Sequence, residues 1–109
     1  MNDIIINVDE ALSRFGGNDS IYKMLLKKFL VNPYYDELNT AITGGDMIAA
    51  QHAAHTLKGT AGNLSLSALF ESATQLDIRL KESADYTLEY NKLGEIYQQT
   101  MAEIANYTN

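Results

Sequence analysis

The chain has no cysteine, which excludes a disulfide framework, a thiolate metal site and a cysteine nucleophile. It has no hydrophobic run near the ~20 residues that a membrane-spanning helix needs. The longest mostly apolar stretch, Leu64 to Phe70, is interrupted by serines. Basic residues are scarce: eight lysines and arginines stand against fourteen aspartates and glutamates, for a formal charge of −6. A nucleic-acid backbone or an anionic membrane surface asks for a basic patch, so neither is expected as a partner. The N-terminal residues Met1 to Asn7 lack a cationic segment and hold only three consecutive isoleucines, too few for a secretory leader. A soluble, cytoplasmic protein is the expectation. What is present is a globular composition, 46% hydrophobic and 20% charged, in 109 residues, which is enough for one core and not for two.

Proline is nearly absent, and the seven glycines sit mostly in pairs or near expected helix ends. Asn7 can cap a short first helix, with Glu10 three residues later completing a capping-box pattern. That helix ends at Gly16-Gly17, and Asn18 or Asp19 starts a second one carrying Ile21, Leu25, Leu26, Phe29 and Leu30 at helical spacing. Pro33 removes a backbone donor and predicts a kink or break, after which Tyr35, Leu38 and Ile42 resume the pattern as far as Gly44-Gly45. Asp46 caps a third helix reaching about Asn63, and a turn at Leu64-Ser65 leads to a fourth with Leu69, Ala73, Leu76 and Leu80. Tyr86, Tyr90, Leu93, Tyr97, Met101 and Ile104 mark a fifth. The fold class expected is all-α: an antiparallel up-and-down four-helix bundle with a short additional N-terminal helix. One domain covers 1–109, with the N-terminal helix at about 8–15 and the bundle at about 19–106. The seven tyrosines fall mainly on the second and fifth helices, where packing explains them better than any cofactor role.

The third helix is the unusual one. At ~100° per residue, Ala50, Ala53, Ala54, Leu57, Ala61 and Leu64 share a core face whose alanines let neighbouring helices approach closely. His55 lies well away from that face. Gly59 and Gly62 follow it on the same outward stripe, and the apolar Ile48 precedes it by two turns. Gln51 and Lys58 flank the histidine on the side nearer the core, and His52 lies on its other flank. A glycine in a helix interior costs roughly 0.8–1 kcal/mol relative to alanine, so two beside an exposed histidine ask for a reason. One reason is steric: without Cβ atoms the surface next to the imidazole lies flat, and another macromolecule can come close. The alternatives are a helix C-terminus for Gly62 and packing against another helix for Gly59.

Neutral imidazole is a nucleophile near pH 7, and a phosphoryl group on its Nε2 would have the Lys58 ammonium within reach. From spacing alone this competes with a plain solvated histidine and lysine on a polar face. His52 and His55, three residues apart, could also chelate a metal, but no acidic residue follows Asp46 in that helix, so no metal site is expected.

The stretch His55-Thr56-Leu57-Lys58-Gly59-Thr60-Ala61-Gly62-Asn63-Leu64, preceded by Ala53-Ala54, resembles the signature of histidine-containing phosphotransfer (HPt) domains. The family pattern A-H-x-L-K-G-[SAT]-[AS]-x-x-[LIV] is met throughout, and Ser65 then stands where the family usually has glycine. The likeness extends upstream through Leu12 to Asn18 and Leu25 to Leu30, and downstream through Leu69 to Leu76-Asp77.

The resemblance implies a four-helix bundle and a phosphorelay intermediate. His55 would accept a phosphoryl group from a phospho-aspartyl receiver domain and pass it to another, in two-component signal transduction. Lys58 would neutralise the phosphate, and Gly59 would admit the receiver. Some members carry Gln or Glu twenty-two residues past the histidine, hydrogen-bonded to Nδ1; Asp77 holds that place here, one methylene shorter than Glu. Gln51 joins Lys58 and Asp77 as a candidate for stabilising or orienting the phosphoryl group. Candidate docking residues are Gly59, Gly62, Ile48, His52 and Leu12, while Phe15 is assigned to the core. The implied partners are response-regulator receiver domains and a hybrid sensor kinase. The expected state is a monomeric phosphohistidine carrier without autonomous catalysis, ATP use or cofactor, the divalent metal residing on the receiver. A docking module of the same fold that carries no phosphate is the alternative function.

Overall fold

The computed structural model describes residues 4–109; Met1 to Asp3, part of the N-terminal stretch considered above, lie outside it. Six helices and no strand occur among the described residues: α1 (Val8–Arg14), α2 (Asp19–Phe29), α3 (Tyr34–Gly44), α4 (Met47–Asn63), α5 (Ser67–Lys81) and α6 (Thr87–Thr108). The chain is all-α. Helix α4 packs between α3 and α5, α6 packs against both α5 and α2, and α1 lies against α2. The expected second helix is two, α2 and α3, because the chain breaks at Pro33. Asn32 closes that break: its Nδ2 donates to the carbonyl of Phe29 and to the Tyr97 hydroxyl, and its Oδ1 accepts from the Tyr34 amide.

The helix starts follow from local side-chain chemistry. The carboxamide oxygens of Asn7 and Asn18 and the carboxylate of Asp46 each accept the amide N–H three residues on, which satisfies a donor the helix cannot. The ends of α1, α3, α4 and α5 close in Schellman fashion. At the end of α4 the Leu66 amide donates to Ala61 and the Ser65 amide to Gly62, which requires a left-handed residue between helix and turn. Ser65 adopts it at φ 56°, in the place where the family pattern favours glycine.

One core unites the elements. Tyr22, Leu26, Leu38, Leu57, Leu66, Leu69, Leu76, Leu93 and Ile104 are fully buried. The α4 face Ala50, Ala53, Ala54, Leu57, Ala61 and Leu64 is buried throughout, as its spacing predicts. Tyr22 and Tyr97 are core residues, and Tyr35 stacks on Tyr97 at 4.0 Å. Phe15 stacks on Tyr22 at the core edge.

Helix α1 is latched over the α4–α5 turn. The Asn7 amide donates to the Ser65 carbonyl, Ser65 Oγ donates to Glu10, Arg14 donates to the Gly62 carbonyl at 2.6 Å, and the buried Tyr22 hydroxyl donates to Leu64. These bonds fix the C-terminal end of α4, and so the helix that carries His55.

Candidate functional site around His55

Helices α4 and α5 run antiparallel side by side. Gln51 of α4 donates to the Leu80 carbonyl, His55 and Lys58 meet Asp77, and Gly62 lies under Phe70. The His55 side chain is 62% exposed on the α5 flank of α4. Its Nδ1 is 3.5 Å from Asp77 Oδ2, at the outer limit of a hydrogen bond, and its Nε2 has no partner among the described residues.

Asp77 is the opposite case, 2% exposed and charged. A carboxylate rarely survives such burial without compensation, and here it comes from cations. Lys58 Nζ approaches Oδ2 at 3.4 Å from α4, and Lys81 Nζ at 3.0 Å from the next turn of α5. Burial pushes the Asp77 carboxyl up, but hydrogen bonding to Lys81 and His55, the Lys81 charge and the contact with Lys58 outweigh it. The group is held below the usual carboxylate range, and Asp77 is an anion at neutral pH. Its second oxygen, Oδ1, is buried without a hydrogen-bond partner among the described residues.

The two glycines of the outward stripe separate. A Cβ on Gly59 would meet nothing within 4 Å, so packing against another helix does not explain this residue. A Cβ on Gly62 would sit 3.0 Å from the Phe70 ring, a close contact that Phe70 would have to yield to, so the space beside this glycine is occupied by α5 rather than left open. Gly62 therefore departs from the flat open stripe expected of it, because Phe70 covers it. Ile48 is 83% exposed, two turns before His55. Leu12 is half-buried against the core, since α1 turns that side of itself inward.

His52 is exposed too, but it lines a groove of about 790 Å³ on the α3 side of α4 with Tyr34, Asp36, Glu37 and Asp46. The two histidines thus face different neighbours. No cluster of three potential metal ligands exists among the described residues. Gln51 spends its amide on α5 backbone, tying the helices together beside the histidine. Three residues escaped the sequence reading. Lys81 completes the Asp77 cluster, Phe70 exposes an apolar ring on α5 against Gly62 of α4, and Ile78 exposes an apolar side chain on α5. The i,i+4 spacing of Asp77 and Lys81 was the available signal for the first. The others needed the α4–α5 register.

The site thus brings together an exposed imidazole, a buried carboxylate at its Nδ1 and two lysines on that carboxylate. Residues 31–106 match the family model for the Hpt domain, from the break before α3 nearly to the end of α6. The chain belongs to the Hpt domain family, the phosphotransfer modules of two-component signalling, which carry phosphoryl groups and interact with receiver domains and kinases. The upstream likeness at Leu12 to Asn18 and Leu25 to Leu30 lies outside the matched span. No curated protein and no solved structure matches the chain. No described helix is long and apolar enough to cross a membrane.

Proposed function

We propose that this protein is a phosphorelay intermediate in which His55 takes a phosphoryl group from a phospho-aspartyl receiver domain and delivers it to another. The observation that carries the reading is the His55–Asp77 pair. Asp77 Oδ2 stands at Nδ1, which favours the tautomer protonated there and leaves the Nε2 lone pair for attack. In the accepting step Nε2 forms a bond to phosphorus while the bond from phosphorus to the aspartyl oxygen breaks, and the receiver aspartate leaves as a carboxylate. The ring, still protonated at Nδ1, becomes cationic, and the buried Asp77 carboxylate offsets the charge that develops. Delivery is the reverse: a receiver carboxylate oxygen attacks phosphorus, and the N–P electron pair returns to Nε2.

The chain supplies position and charge, and the receiver supplies the aspartate and its divalent metal. Lys58, one turn after His55, neutralises the phosphoryl oxygens. Gly59 leaves open space beside the imidazole. Ile48 on α4 and Phe70 on α5, whose ring lies over Gly62 of α4, expose apolar side chains, and we assign them with Gly59 to receiver docking. His52 stands at the margin of this surface.

Mixing the protein with receiver domains that carry radiolabelled phosphate on aspartate tests the assignment. Label moves to this chain if the reading is right. Failure to move from any receiver of the source organism overturns it.

A further inference from the structure

Three donors converge on a single oxygen of Asp77, and the closest is neither the histidine nor the lysine beside it. Lys81 Nζ lies 3.0 Å from Oδ2, Lys58 Nζ 3.4 Å and His55 Nδ1 3.5 Å. Because Oδ1 has no hydrogen-bond partner among the described residues, the three contacts that compensate the buried charge there act through Oδ2, the oxygen that faces the imidazole. Two lysines on one carboxylate exceed what a structural ion pair needs. They also differ in place: Lys58 projects from α4, on the histidine's own helix, while Lys81 projects from α5 one turn after Asp77.

That difference matters once a phosphoryl group is present. Its oxygens are stronger acceptors than a shared carboxylate, and Lys58 is the ammonium on the same helix face as Nε2. If Lys58 turns to the phosphoryl group, Asp77 loses one of its two cations. A buried carboxylate stripped of its partner is strongly destabilised, and it would relieve this by moving or by taking a proton. Either response would release Nδ1. A second cation that stays behind prevents both.

We propose that Lys81 is a positioning residue: it holds the Asp77 carboxylate against His55 Nδ1, so that Nε2 stays the free nitrogen while Lys58 follows the phosphoryl group. The inference rests on the reading of His55 as phosphoacceptor and assigns the two lysines separate tasks. Lys58 serves the phosphoryl group, and Lys81 serves the carboxylate. Before transfer, the neutral imidazole, Asp77 and the two lysines carry one net positive charge, which suits the arrival of an anionic group.

Long-range proton–nitrogen correlation spectra of the whole unphosphorylated protein, recorded under alkaline conditions, read the tautomer directly. His55 should give one protonated nitrogen, Nδ1, and one unprotonated nitrogen, Nε2, with widely separated shifts. Lys81→Met should collapse that separation toward a mixture of tautomers, Lys81→Arg should restore it, and the His52 ring should not respond. Lys58→Met should leave the His55 tautomer in place. Wild-type shifts in Lys81→Met, or an equal collapse in Lys58→Met, would overturn the proposal. Amide spectra of each variant establish that the bundle is intact. The tautomer measurement needs no receiver, so it separates the two ideas. If no receiver phosphorylates His55 but Lys81→Met still scrambles the tautomer, the phosphorelay reading falls and the positioning contact stands.

Discussion

Ser65 and Asp77 each hold a conformation or charge that their surroundings must support. Ser65 sits in the left-handed region and is buried, with its hydroxyl donating to Glu10. Replacement by alanine removes the hydroxyl and keeps the strain, whereas glycine removes both. Ser65→Gly should therefore be more stable than Ser65→Ala by about 1 kcal/mol, measured by chemical denaturation. Equal stabilities would contradict the left-handed turn. For Asp77, burial pushes the carboxyl up, and Lys81, His55 and Lys58 together bring it below its ordinary value. A carboxyl depressed in the folded state contributes stability above its unfolded value and loses that contribution as pH falls through the folded one. Asp77→Asn should accordingly lose stability less steeply than wild type between neutral and acidic pH. Parallel pH profiles would place the carboxylate's partners elsewhere.

At the scale of the helix, α4 combines a closely packed inner face with an outer face shaped for approach. Gly59 has free space around it in a helix interior, so Gly59→Ala should stabilise the fold by roughly 0.8–1 kcal/mol. Gly59→Gln should slow phosphoryl transfer while leaving the thermal transition intact; an unchanged transfer rate would remove the steric role of this glycine. Much of this helix was legible in advance. Its Asp46 cap acts over three residues and its alanine face repeats at the helical period, so both are written locally. The break at Pro33 was legible for the same reason. A contact set by the α4–α5 register was not: Phe70 over Gly62 arises only when two helices are placed side by side. Lys81 lies one turn after Asp77 on the same helix, so that pair was open to reading from its i,i+4 spacing, whereas the burial of Asp77 that gives it weight was not. Leu12 was open to either reading, docking or core: it falls at helical spacing with Val8 and Phe15, and the structure turns it half inward with Phe15. The exposure of His55 was legible because its position opposes the core face, a property of one helix alone; spacing by itself did not separate it from a plain solvated histidine, and the HPt-like motif singled it out.

The whole molecule has a net charge of −6 and a chemically distinct patch around one histidine, with three lysine or imidazole groups about a single carboxylate. Under the proposed function this site needs no cleft, because the reacting group would belong on a surface that a second protein reaches. The apolar residues there should contribute to binding and little to folding. Ile48→Ser should leave stability within ~0.5 kcal/mol of wild type, since the side chain is almost fully exposed. The same change should weaken receiver binding roughly tenfold, measured by calorimetric titration. Unaltered affinity would move the docking surface elsewhere. The most direct test of the central claim is the chemical character and position of the phosphate after transfer from a labelled receiver. The account predicts an acid-labile, base-stable label that disappears in His55→Gln while that variant keeps its fold. Label that is acid-stable, or that persists in His55→Gln, would contradict it.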